Sequence, residues 1–194
     1  MKETLFLIIF VIVFYIVFMM NGSSLIEVNK NGNIILVRNA VDKQKSVELL
    51  YELILRMYTL REYLITNIDN FPEYKEYINL LEVNFNKNRT IIYENNFNSE
   101  YTSYSVNKGE ELVFCLRCKK DGSLHQINLL MYVAVHEMAH TACPENGHTP
   151  LFNKIFKFML EQAVNINLYI YEDYSRNPVE YCGMNLHTNI LNGY

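Results

Sequence analysis

The chain opens with its one long unbroken apolar run, Leu5 to Met20 (LFLIIFVIVFYIVFMM), sixteen residues without a charge or a strongly polar group. As a helix this run spans roughly 24 Å at 1.5 Å per residue, a little short of the ~30 Å hydrocarbon core of a bilayer. Thr4 and Asn21 can extend it, and local thinning of a bilayer costs little. Nothing interrupts the apolar surface on any face, which disfavours a core helix of a domain. The pattern predicts one N-terminal transmembrane helix within residues 1–22. A cleaved signal peptide is the competing reading, because Lys2 supplies a weak positive start and Asn21 to Ser24 (NGSS) offer small residues for cleavage. The bulky run reaches those residues without a polar break, which favours a retained anchor.

Beyond it, apolar and polar positions follow the periods of ordinary secondary structure. Residues 23–42 read as a linker, with a weak hairpin about NKNGN. Between Lys43 and Asn67, apolar residues from Val47 and Leu50 through Tyr58 to Ile65 recur at helical spacing. FPEYKEYINLLEVNF reads as a second helix, with Pro72 near its first turn. Three extended stretches come next, RTIIYE, YTSYSV and ELVFCLR, the last two joined by NKGE, a hairpin signal. A long helix is predicted from about Gln126 to Cys143, and another from just after His148 to about Asn165. The order predicts an α+β domain over residues 43–194, with a small antiparallel sheet beside the long helix. With 194 residues, half of them hydrophobic, one sizeable core is the natural count.

Composition narrows the function. A net charge of −4, with no cluster of Lys and Arg, argues against a nucleic-acid partner, which needs such clusters to displace counterions. Lys2 and Glu3 precede the apolar run and Glu27, Lys30 and Arg38 follow it, so the basic-residue bias does not set a membrane orientation. Heavy use of Asn, Ile and Tyr reads as AT-rich coding. The four cysteines, Cys115, Cys118, Cys143 and Cys182, do not fix a redox compartment. Cys115 and Cys118 have C-x-x-C spacing, but on a strand they point to opposite faces, and no second pair completes a four-cysteine zinc site. Small, buried side chains are the default reading for all four.

The long helix carries the chemistry. Val133 to His140 reads VAVHEMAH, and on a helix His136 and His140 project from one face a turn apart, where both rings can reach one tetrahedral ion. Glu137 lies about 100° round the helix, placed to reach a water beside that ion rather than to ligate it. Apolar residues flank the motif on both sides, so the helix is buried, and two histidines with a glutamate there require a compensating partner. A catalytic zinc needs a third ligand and an open fourth position. His148 is the choice, since Gly147 allows a tight return while Thr149 and Pro150 read as the cap and first residue of the next helix. Glu161 is the rival, but it shares a helical face with Lys154 and Lys157, which reads as a solvated, salt-bridged surface. His125 and His187 read as surface or helix-start residues. Cys143 follows His140 by three positions and could approach the metal.

With these residues in view, HEMAHTACPENGHTPLFNKIFKFML resembles the SprT-like and WLM zinc metallopeptidases: H-E-x-x-H, a short insert, a third His, then an aromatic-bearing helix. The match falls on His136, Glu137, His140, His148 and Phe152. From about Lys43 to Gly183 the chain is similar, more loosely, to membrane-anchored WLM-related proteins of large DNA viruses. The resemblance implies a compact zincin-like fold, one Zn2+ and endopeptidase chemistry, with Glu137 as general base for metal-activated water. In cellular relatives it also implies cleavage of proteins crosslinked to DNA. This chain lacks their basic DNA-binding segment and zinc ribbon, so that substrate is not carried over. The expected partners are a protein or peptide substrate, extended along the sheet edge within residues 101–117, and the bilayer. The expected location is a single-pass membrane protein of a virion or host membrane. An oxyanion stabiliser is expected among the tyrosines, with Tyr174 and Tyr181 as candidates. The alternative is a membrane-tethered structural or interaction protein whose zinc site is not catalytic.

Overall fold

The computed structural model describes residues 6–13, 15, 24–96 and 99–192. Residues 6–13 form a helical stretch, α1, whose apolar side chains are all half or more exposed. Residues 1–5, 14 and 16–22 of the expected membrane segment lie outside the described residues, and no described helix is long and apolar enough to cross a membrane.

The residues read as a linker form β1 (Leu25–Lys30) and β2 (Asn33–Arg38), an antiparallel hairpin. Asn31 and Gly32 both take positive φ at its tip, 51° and 80°, the conformation that matches a two-residue turn to the twist of its strands. Ile35 and Val37 are fully buried, so this segment contributes to the core. Helix α2 (Lys43–Thr66) follows, and its Val47, Leu50, Leu53, Met57, Leu60 and Leu64 form one buried stripe. A one-turn helix at Pro72–Tyr74 leads into α3 (Lys75–Asn84). Then come β3 (Ile91–Glu94), β4 (Tyr104–Val106), β5 (Glu111–Phe114), α4 (Ile127–Ala142), α5 (Pro150–Asn165), and a small hairpin of β6 (Val179–Tyr181) and β7 (Met184–Leu186).

The main sheet has the order β1-β2-β3-β5-β4 and is mixed, where an antiparallel sheet was expected. β2 pairs with β3 in parallel, and β3 with β5 in parallel; only the two outer hairpins are antiparallel. The reason is connection length. Helices α2 and α3 lie between β2 and β3, and a crossover of that size is what parallel pairing needs. The sequence pattern shows the hairpin signals but not the strand order, so the parallel centre was missed.

Helix α4 packs against α2, α3, α5 and β4, which explains why it is buried almost all round. The turn between β4 and β5 presses on this assembly at Gly109. A Cβ there would meet the Asn84 carbonyl oxygen at 2.8 Å and the Thr141 methyl at 2.9 Å, and its φ of 107° also requires glycine. The antiparallel edge strand β4 is thereby set alongside the motif helix.

One charged cluster fixes the far end of the sheet. Glu94 is fully buried and accepts from the Arg38 amide at 2.8 Å, Arg38 Nε at 2.8 Å and Arg117 Nε at 3.1 Å. Arg117 also pairs with Asp42 at 2.8 Å and donates to Ser46 Oγ, linking the sheet to the start of α2. Cys115 and Cys182, 67 residues apart with Cα atoms 6.3 Å apart, form a disulfide that staples the end of β5 to the β6–β7 hairpin. This corrects the default reading of those two cysteines. Cys118 and Cys143 are free thiols.

Candidate metal centre

Three imidazoles meet where the spacing of the motif placed them. His136 Nε2 lies 3.2 Å from His140 Nε2 and 3.0 Å from His148 Nε2, and the three donor atoms form one compact group. Three nitrogens held about 2.05 Å from a tetrahedral ion would stand roughly 3.3 Å apart. The donor set therefore fits one such ion in both chemistry and spacing.

Each donor has a local cause. His136 and His140 are one turn apart on α4. His148 comes from the loop between α4 and α5, which turns through Gly147 at φ 78°. Thr149 caps α5, its Oγ1 accepting from the Phe152 amide at 3.2 Å, with Pro150 as the first helical residue. Such a cap contributes about 1 kcal/mol and fixes the chain one residue after His148. Phe152 then packs beneath all three rings: its centroid is 4.2 Å from that of His140, nearly parallel, 4.9 Å from that of His136 and 5.0 Å from that of His148.

The electrostatics suit cation binding. Burial, helped by the charges of His140 and His148, pushes His136 down to about 3. Burial, then His148 and Lys108, pushes His140 down to about 4. Both rings are therefore neutral donors at physiological pH. Glu137 is only 5 % exposed, and burial pushes its carboxyl up to about 8. Burial raises its pKa because the charged form loses water.

A cleft of about 830 Å³ opens over this group. Its walls are Ser103 to Ser105 with β4 on one side, Asn146 to His148 on another, and Tyr181, Met184 and Leu186 of the terminal hairpin on a third. His148 is exposed to the cleft while His136 and His140 are half-buried below it.

The remaining sequence candidates separate clearly. Glu161 is exposed on α5, and its neighbour Lys154 pairs with Glu73, so it takes no part in the group. Cys143 is buried at the end of α4 and belongs to no potential metal group among the described residues. Tyr174 lies in the core, edge-on to Tyr132 at 5.3 Å, whereas Tyr181 lines the cleft and shares a hydrogen bond with Ser103 Oγ. Burial pushes the Tyr181 hydroxyl up strongly, so it is a neutral donor. His187 is exposed. His125 stands at a helix start, just before the Gln126 cap of α4, but not on the surface: its Nε2 is enclosed and its ring lies beside Cys115 and Cys182. Sequence reasoning missed that neighbourhood, and the only signal was Leu-His following a C-x-x-C turn.

No family model matches the chain. It is 42% identical over 156 residues to uncharacterized protein R325 of Acanthamoeba polyphaga mimivirus, a match covering 80% of this chain and 78% of that protein. It is 37% identical over 84 residues to uncharacterized protein 136R of Invertebrate iridescent virus 6, covering 42% of this chain and 47% of that one. Among solved structures it is similar to a crystal structure of a Wss1 mutant from Saccharomyces cerevisiae, with a TM-score of 0.50 and 18% identity. That match covers 70% of this chain and 92% of the yeast chain, and it is a likeness of fold. By its long, well-covered match to the mimivirus protein, the chain belongs to the family of viral proteins that includes R325.

Proposed function

We propose that the chain is a zinc endopeptidase whose metal is held by His136, His140 and His148. The observation that carries this reading is the convergence of three Nε2 atoms at the floor of an open cleft, with Glu137 on the same helix. The fold likeness to Wss1, a WLM-type zinc metalloprotease, agrees with it. Zinc at such a site supplies Lewis acidity, lowering the pKa of water to about 7 and polarising the scissile carbonyl.

The protein's own groups do the rest. Glu137 takes the proton of the attacking water on a carboxylate oxygen and delivers it to the leaving amine nitrogen. The substrate lies extended along β4, the free edge of the sheet, and hydrogen-bonds to backbone groups within Tyr104–Val106. Residues 1–22 tether the domain to a membrane; the length of the apolar run and the exposure of residues 6–13 support that part. The structural-zinc alternative gains nothing from Cys143, which stands outside the donor group, or from the cleft-facing side of His148.

The test is proteolysis by the full chain in detergent, zinc-loaded, on a peptide library derived from a proteome, with Glu137→Gln beside it. New termini from the wild type, reduced ~10²–10⁴-fold in rate by the substitution, are expected. Equal zinc content in both proteins with no cleavage by either would overturn the enzymatic reading.

A further inference from the structure

Cys115, Cys182 and His125 place their ligand atoms within 4.8 Å of one another, the second such group among the described residues. It lies apart from the histidine triad in sequence and on other elements. Cys115 is at the end of β5, Cys182 is in the β6–β7 turn, and His125 comes just before α4. Both cysteines are buried, at 6 % and 2 % exposure. Their sulfurs sit 3.2 Å and 3.3 Å from one acceptor, the Arg117 carbonyl oxygen.

The unusual member is His125. Its Nε2 is enclosed and meets no hydrogen-bond partner, one of two such buried side-chain atoms among the described residues. Burial lowers its pKa, so the ring is neutral and one of its two nitrogens carries a lone pair. A buried ring nitrogen without a partner loses its hydrogen bond to water and gains none in return, which is unfavourable. A disulfide sulfur pair does nothing to relieve that cost. Two thiolates and a neutral imidazole, by contrast, are three of the four donors of a common zinc site.

We propose that the reduced Cys115–Cys182 pair, together with the His125 ring, forms a second and soft metal site that takes Zn2+. Conversion between the two states is balanced. A dithiol reductant gives two electrons and two protons to the disulfide and closes to its own disulfide, leaving two protein thiols. Binding of a divalent ion then releases the two thiol protons as the sulfurs become thiolate ligands. The Cα separation of 6.3 Å accommodates both states, since two sulfurs 2.3 Å from one tetrahedral ion stand only roughly 3.8 Å apart. Glu180, whose charge reaches His125, or water completes the coordination.

The consequence is a staple that survives a change of redox environment. Covalently when oxidised, and through metal when reduced, the end of β5 stays tied to the hairpin that carries Tyr181 into the cleft. The site does not depend on the peptidase reading, and its spectroscopic signature is its own.

The experiment uses Co2+ as probe on the full chain in detergent, air-oxidised or reduced with a water-soluble phosphine. Thiolate-to-cobalt charge-transfer absorption is expected only in the reduced protein, because the histidine triad contains no sulfur. Zn2+ content should rise by one ion per chain on reduction. Cys118→Ser should retain the absorption, Cys115→Ser/Cys182→Ser should abolish it, and His125→Ala should weaken Co2+ at least tenfold in chelator competition. Absence of the band after reduction would overturn the proposal. So would a band that survives the double substitution Cys115→Ser/Cys182→Ser, since it would come from Cys118 or Cys143, and so would an affinity unchanged in His125→Ala. A protein that shows the band but cleaves nothing would leave the second site standing and count against the endopeptidase alone.

Discussion

Glu94 is the side chain whose loss should be felt most. It is fully buried, and its carboxylate neutralises two guanidinium groups, of Arg38 and Arg117, which are themselves only 8 % and 7 % exposed as residues. With Asp42 the cluster holds two negative and two positive charges. Glu94→Gln keeps the shape but removes the negative charge that lies between the two buried guanidinium groups. Breaking a buried pair from one side costs about 3–5 kcal/mol, because the stranded charge cannot recover its water. A substitution that preserves one acceptor oxygen should fall near the lower limit, about 3 kcal/mol. In urea, with an m-value of about 2 kcal/mol/M for a domain of this size, the midpoint should drop by roughly 1.5 M with m unchanged. Adding Arg38→Gln restores neutrality and leaves Arg117 with Asp42. The double variant should then be less destabilised than the sum of the singles by at least about 1 kcal/mol. A midpoint shift for Glu94→Gln below about 0.5 M, or additive singles, would show that the cluster behaves as a solvated surface pair and refute the argument.

Two further substitutions probe the walls of the cleft. Gly109→Ala forces a Cβ against the Asn84 carbonyl and the Thr141 methyl at a φ of 107°, and should cost about 2–4 kcal/mol by thermal or urea unfolding. A loss under about 1 kcal/mol would mean that the β4–β5 turn is not pinned against α4. Opening the Cys115–Cys182 disulfide, which closes a loop of 67 residues, should cost about 4 kcal/mol by loop-closure entropy. That loss should be measured in chelator as the difference between oxidised protein and Cys182→Ser, and equal midpoints would rule out a stabilising bridge.

What the sequence disclosed depends on how far apart the cooperating residues lie. Helices α2, α4 and α5 were legible because their buried positions repeat within a single element, and the three histidines because twelve residues and one helix cap join them. The β1–β2 hairpin announced itself only as Asn-Gly in a supposed linker; its place in the sheet follows from a β3 partner more than fifty residues on. The Glu94 cluster draws on positions 38, 42, 94 and 117, and no local pattern predicts that four charges will meet. The disulfide and His125 belong to the same class. C-x-x-C spacing drew attention to Cys118, while the true partner of Cys115 was 67 residues away.

The same distinction governs how the proposed metal centre is held. His136, Glu137 and His140 ride on a helix that the core clamps from several sides, so their mutual geometry is set by folding itself. His148 reaches the group from an exposed loop, and only Gly147, the Thr149 cap and the face of Phe152 set its position. Preorganisation is therefore uneven: two donors come with the fold and the third with a helix start. A lone ring on a loop loses more freedom on binding an ion than a ring on a buried helix. The Thr149 cap would lessen that cost before any ion binds. The face of Phe152 does the same for all three rings at once, which is why one aromatic residue on α5 supports a site whose other parts belong to α4.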